Sequence, residues 1–159
     1  MTAASADAVR RAEIAAAARG WIGTPYRHQA SLRGVGCDCL GLVRGVWREC
    51  VGPEPERMAA YTADWAEAGG AETLRDAARR HLTPVALDAH GAGDVLLFRW
   101  RDRLPAKHAA IAVAPGRIVH AHDGAAVAEV ALASWSKRLA FAFSFPPRIA
   151  AASSVHAKA

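Results

Sequence analysis

"GVGCDCLGLVRGVW", residues Gly34–Trp47, is the stretch on which the fold turns. A glycine-rich loop gives way here to a helical pattern, and two cysteines one residue apart straddle the change. Apolar side chains at Leu42, Val43, Val46, Trp47 and Cys50 recur at the i, i+3, i+4 spacing of an amphipathic helix, which predicts a helix over Cys39–Cys50. Asp38 stands where an N-cap belongs, Cys39 is the first helical residue, and Gly41 keeps the first turn open. A thiol at a helix N-terminus meets free N–H groups and the positive end of the helix dipole, and both favour the thiolate. Cys39 is therefore the candidate nucleophile. Cys37, still in the loop, lacks that placement, and Cys50 falls on the apolar face, where a structural thiol is expected.

Two other readings of the cysteines fit less well. A zinc site needs about four ligands, usually presented as C-x(2–4)-C pairs. Here there is one C-x-C, a third cysteine eleven residues on, and scattered histidines, so no metal is expected. An odd count of three cysteines suits no disulfide scaffold, and a chain of this length has no need of one. A direct Cys37–Cys39 bond would be strained by the short spacing, which leaves redox control as a minor alternative to plain packing.

Working outward, Ala6–Gly20 is rich in helix formers, with Gly20 as the stop. "GTPYRHQASLRGVG" is loop, "GPEPER" breaks the cysteine helix, and "AGGAETLRDAARRHL" reads as a further helix ending near His81. After Gly93 the texture changes. "DVLLFRW", "HAAIAVA", "RIVHAH", "AVAEVAL" and "LAFAFSF" are short apolar or alternating runs between turn residues, and they predict a five-stranded, mostly antiparallel sheet. Helices first and strands afterwards argue an α+β fold. One domain is expected over residues 1–150, with a disordered tail, "AASSVHAKA", over 151–159.

A thiolate needs a base within hydrogen-bond reach and a third group to orient it. Of seven histidines, His108, His120 and His122 lie on two adjacent predicted strands joined by "APG". An odd-numbered hairpin loop would turn all three to one side of the sheet. A two-residue Pro-Gly loop would instead set His108 opposite Asp123, although Pro-Gly suits a type II turn, which two-residue hairpins disfavour. The register, and with it the choice between His120 and His122, stays open at this point.

Composition narrows the field further. The chain has 159 residues, 52% apolar and 22% charged, the balance of an ordinary globular domain. Its net charge of +5 and pI of about 9.6 come mostly from arginine spread along the chain. No basic block with interleaved aromatics stands out, so no nucleic-acid partner is expected. No apolar run approaches the roughly 20 residues that span a bilayer, so no membrane insertion is expected. In "MTAASADAVRRAEIAAAARGW" arginines interrupt the alanines, so the apolar segment of a secretory leader does not form. The expectation is a cytoplasmic protein in the producing cell that leaves by lysis or within a particle.

"GTPYRHQASLRGVGCDCLGLV", "GDVLLF", "HAAIAV" and "IVHA", in this order and spacing, resemble the signature of the NlpC/P60 cysteine peptidases. The resemblance covers about Ala12–Phe145. It implies a papain-like fold with N-terminal helices packed on the sheet and the nucleophile at a helix start. It also implies a substrate, the stem peptides of bacterial peptidoglycan, typically cut between γ-D-glutamate and a diamino acid, with no cofactor. Carried across, Cys39 matches the nucleophile, His108 the general base and His120, twelve residues later, the orienting group. Tyr26 matches a tyrosine that lines the site, and Asp38 an acidic residue that helps recognise substrate.

The chain departs from the family pattern twice. Leu40 replaces the usual serine after the nucleophile, which removes a polar contact to substrate. Cys37 takes a usual aromatic position. The wording looks closest to phage-type members encoded with tail genes, including those of gene transfer agents. That implies tail or tail-tip hub proteins as partners and action in the periplasm of a target cell. The competing readings are an amidase on the same scaffold and a catalytically silent tail-tip or wall-binding module.

Overall fold

The computed structural model describes residues 1–57 and 70–150. The tail expected over 151–159, and the first two residues of the "AGGAETLRDAARRHL" pattern, lie outside the described residues.

Helix α1 (Ala3–Arg19) begins three residues before the sequence pattern does. The reason is Thr2, whose hydroxyl accepts the Ser5 N–H at 3.1 Å and caps the first turn. Its buried face, Ile14, Ala15 and Ala18, packs against helix α2 (Cys39–Cys50) and the sheet. Helix α2 has the predicted bounds and buries Leu42, Val46 and Trp47, each contributing about 1.5–3 kcal/mol by removal from water. Gly45 lets α2 approach the buried Trp21, since a Cβ there would lie 2.0 Å from a ring carbon. Helix α3 (Thr73–His81) carries Arg79 and Arg80 in its last turn, cations that suit the negative end of its dipole.

Between α1 and α2 the loop folds into a small ladder, β1 (Ser31–Leu32) antiparallel to β2 (Gly36–Cys37). Six strands form the main sheet: β3 (Thr83–Val85), β4 (Asp94–Phe98), β5 (His108–Ala114), β6 (Arg117–His120), β7 (Ala128–Ala131) and β8 (Leu139–Ser144). Their order is β3-β8-β4-β5-β6-β7, and every pairing within it is antiparallel. The extra strand is β3, which carries Pro84. Proline is tolerated there because β3 lies at the sheet edge and needs no N–H for a second neighbour.

The sheet has two covered faces. Val95, Leu97, Ala109, Ile111, Val119 and Phe143 point toward the helices and share a core with Ile14, Leu42 and Val46. Leu96, Phe98, Ala110, Ala112, Ile118 and Ala142 point the other way, into a smaller core closed by Val130, Leu132, Trp135 and Leu139. Burial on both sides explains why β4 and β5 read as unbroken apolar runs.

The β5–β6 hairpin answers the register question. It turns on two residues, Pro115 and Gly116, with Ala114 paired to Arg117 and Gly116 at φ +69°. A bulge then shifts the register between Ala112 and Ala114, so that Ile111 pairs with Val119. The extra residue offsets the two-residue turn and returns His108 and His120 to one face.

Candidate active site

Asp38 builds the start of α2 with both of its carboxylate oxygens. Oδ1 accepts the Gly41 N–H at 2.7 Å, the N-cap bond, and Oδ2 accepts the Gln29 N–H, also at 2.7 Å. Its side chain is only 4% exposed, with the His28 ring 3.8 Å away. The carboxylate thus ties the approach loop to the helix that carries Cys39. Gly41 serves this junction too. A Cβ on it would sit 1.8 Å from the Ala30 carbonyl oxygen, so the residue is required by the close approach of the loop.

Cys39, partly exposed, lies against the backbone that flanks His108. Its sulfur is 4.0 Å from the Lys107 carbonyl oxygen, and the Ala109 N–H bonds to it, as do the N–H groups of Leu40 and Cys39 itself. Among the described residues no hydrogen bond joins the thiol to the His108 ring. His108 and His120 are both buried, at 4% and 5% exposure, and bonded ring to ring, with Nε2 of His108 2.9 Å from Nδ1 of His120. This bond leaves Nδ1 as the remaining ring nitrogen on His108. His122 stands beside them, its Nδ1 3.1 Å from the Asp123 carbonyl, with its ring centroid 5.9 Å from each of the other two.

Tyr26 stands by Cys39, partly buried, with its backbone bridged to Cys37. Burial first, and then the negative charge of Cys39, Asp38 and Asp123, pushes its phenol up to about 12. Cys37 is fully buried in the main core, where its thiol is pushed up to about 12 chiefly by burial; this is a packing residue. Cys50 is partly exposed, with its sulfur 4.0 Å from the Glu13 carbonyl. Leu40, the substituted serine position, packs against the main core and lines an apolar recess with Val43, Trp47, Leu74, Val95 and Leu97. Leucine there is accounted for by packing between α2, α3 and β4.

Two tryptophans complete the surroundings, and sequence reasoning passed over both. Trp100 follows β4, and Trp135 sits between two 3₁₀ turns, Leu132–Ser134 and Ser136–Arg138. Both stack on His108, at 5.5 and 5.2 Å between centroids and within 30° of parallel. The signal for them was present. A large ring in an otherwise polar turn, as in "RWRDR" and "SWSKR", needs something to cover.

The protonation state differs from the expectation drawn from the helix terminus. The three N–H groups do favour the thiolate, but burial outweighs them and pushes the Cys39 thiol up to about 12. Burial, then the neighbouring His120 and His122, carries His108 well below the ordinary imidazole value. His120 is lowered to about 4 by burial and then His122. The thiol of Cys39 and the imidazoles of His108 and His120 are therefore neutral at rest. Among the described residues no cluster of His, Cys, Asp and Glu is arranged to hold a metal ion, and no helix is long and apolar enough to cross a membrane.

The NlpC/P60 family model matches residues 23–143, and the chain belongs to this family. Among solved structures it is similar to the NlpC/p60 domain of the peptidoglycan hydrolase SagA, at 26% identity and a TM-score of 0.59, over 85% of this chain and 98% of that one. An NlpC/P60 family protein from Bacillus cereus matches at 15% identity and a TM-score of 0.61, over 86% of this chain and 40% of that one. NlpC2 from Trichomonas vaginalis matches at 17% and 0.58, over 85% and 46%. These last two speak for the fold alone, and the chain spans less than half the length of each. The papain-like α+β architecture expected from the sequence is the one found, with six strands in place of five. No curated protein matches the chain.

Proposed function

We propose that this domain is a cysteine peptidase of the bacterial cell wall that cuts peptidoglycan stem peptides at the bond between γ-D-glutamate and the following diamino acid. The observation that carries the reading is the placement of Cys39 at a helix start, against the backbone flanking His108, while His108 is held by His120 at 2.9 Å. The peptidoglycan hydrolase named among the similar structures supports the substrate class.

The chemistry follows from the ring-to-ring bond. For Nδ1 of His108 to accept the thiol proton, Nε2 must carry its own hydrogen and donate it to Nδ1 of His120, which fixes the tautomer of both rings. Cys39 attacks the γ-carbonyl carbon as its proton passes to His108. The tetrahedral intermediate then collapses: the amide C–N bond breaks, and His108 returns the proton to the leaving amine. Water hydrolyses the thioester by the same exchange. Because neither thiol nor imidazole is charged at rest, the proton moves during attack and not before it. The N–H groups that meet the sulfur at rest include that of Cys39, a donor to the developing oxyanion worth roughly 3 kcal/mol. Tyr26 lines the cleft beside the sulfur, and Asp38 fixes the loop that borders it and lends its charge to recognition of the stem peptide.

The setting we infer is a phage-like or gene-transfer-agent tail, with tail or tail-tip hub proteins as partners and the periplasm of the target cell as the place of action. It rests on the likeness of the motif wording to phage-type members. Purified sacculi incubated with wild type and Cys39→Ala test the activity by fragment mass. New γ-D-glutamyl termini from wild type alone are expected. Free sugar-linked lactyl ends would make it an amidase, and binding without release would make it a silent module.

A further inference from the structure

The two tryptophans are carried on segments that the backbone clips together. Trp135 donates its N–H to Leu132 at 2.8 Å, and the Arg138 N–H returns to Trp135 at 2.9 Å. Arg138 in turn accepts the Arg99 N–H at 2.9 Å, which fastens the turn to the chain just before Trp100. The indoles lie 5.4 Å apart. Trp135 touches all three histidine rings, at 5.2 Å from His108, 5.0 Å from His120 and 5.4 Å from His122. Trp100 touches His108 and His122 but not His120. Arg138 lies over both indoles, at 5.4 and 5.5 Å, and Lys107 over Trp100 at 5.8 Å.

We propose that Trp135, seconded by Trp100, is a positioning residue that walls water away from the His108–His120 pair and fixes the plane of the His108 ring. This deepens the peptidase reading and rests on it for its catalytic meaning. A stacked indole resists rotation of His108 about its Cβ–Cγ bond, which would break the 2.9 Å bond to His120. It also occupies the volume that solvent would fill at the end of the sheet, where both imidazoles remain almost wholly buried. The titratable group that faces the pair is His122, beyond β6, while Lys107 before β5 and Arg138 on the turn are set over the indoles. The nearby cations stand against the indoles, so the rings separate them from the bases. Without the wall, water would stabilise the imidazolium, and on acidification the neutral, proton-accepting form would be lost at a less acidic pH.

Ring NMR titration of the histidines tests this without any need for turnover. In Trp135→Ala, His108 and His120 should titrate higher than in wild type by about one pH unit or more, while Trp135→Phe stays near wild type. Trp100→Ala should raise His108 and leave His120 in place, because Trp100 touches only the first of the two. If Trp135→Ala does not fold, Trp135→Leu decides, with a smaller upward shift at both rings. Titrations of the folded Trp135 variant that superimpose on wild type, or a Trp100→Ala variant that raises both rings equally, would overturn the proposal. The titrations read the wall and sacculus digestion reads the peptidase, so either can fail without the other.

Discussion

Replacing Asp38 separates its architectural role from a role in touching substrate. Asp38→Ala removes the N-cap bond to Gly41 and the bond to Gln29, both 2.7 Å, from a side chain that is 4% exposed. Loss of an N-cap costs about 1 kcal/mol. Losing the charge-assisted bond from the Gln29 N–H costs about 1–3 kcal/mol more. The expected loss is thus about 2–4 kcal/mol, which for a domain of this size lowers Tm by roughly 5–15 °C. Asp38→Asn keeps one oxygen for the cap but turns an NH₂ toward the Gln29 N–H, so it should lose about half as much. Urea unfolding of the three proteins, read by tryptophan fluorescence, measures this. If Asp38→Ala stayed within about 0.5 kcal/mol of wild type while turnover collapsed, the architectural reasoning would be wrong and the carboxylate would act on substrate alone.

Other perturbations reach different parts of the account. Burial holds the Cys39 thiol at about 12, so its alkylation by iodoacetamide, followed by peptide mapping, should rise about tenfold per pH unit from 7 to 10. A plateau already at neutral pH would mean a preformed thiolate. The imidazoles must be neutral to act, and both are lowered, so the acid limb of kcat/KM should lie well below the ordinary histidine range; a limb near pH 6.5 would contradict this. His120→Ala should cut kcat by about 100-fold or more with KM little changed, and His120→Asn, which restores an acceptor, should recover part of it. In Gly45→Ala the new Cβ meets the buried Trp21 ring at 2.0 Å, and overpacking of about 1–3 kcal/mol should outweigh a helix-propensity gain of about 1 kcal/mol. A raised Tm in that variant would count against the close packing of α2 on Trp21.

The sequence made helix α2 legible because three signals agreed: Asp38 as cap, apolar spacing from Leu42 to Cys50, and the Gly-Pro break after Val51. Strand β3 was not legible, because Pro84 removes a donor and only its position at the edge makes that harmless. The histidine register was undecidable for a physical reason. The turn length and the bulge between Ala112 and Ala114 act in opposite directions, and apolar alanines and valines give no sign of where a bulge falls. The depressed thiol value expected from the helix terminus failed because dipole and capping N–H groups can be read from sequence, whereas burial cannot. Trp135 was missed because periodicity arguments do not reach residues in turns, and Trp100, counted in the "DVLLFRW" run, falls two residues beyond the end of β4.

The most direct test of Cys39 as nucleophile is to quench the protein in acid during turnover of a stem peptide and map the acyl adduct by mass spectrometry. The account predicts a γ-glutamyl thioester on the peptide containing Cys39, absent from Cys39→Ala. An adduct on Cys37, or product formed by Cys39→Ala, would contradict it.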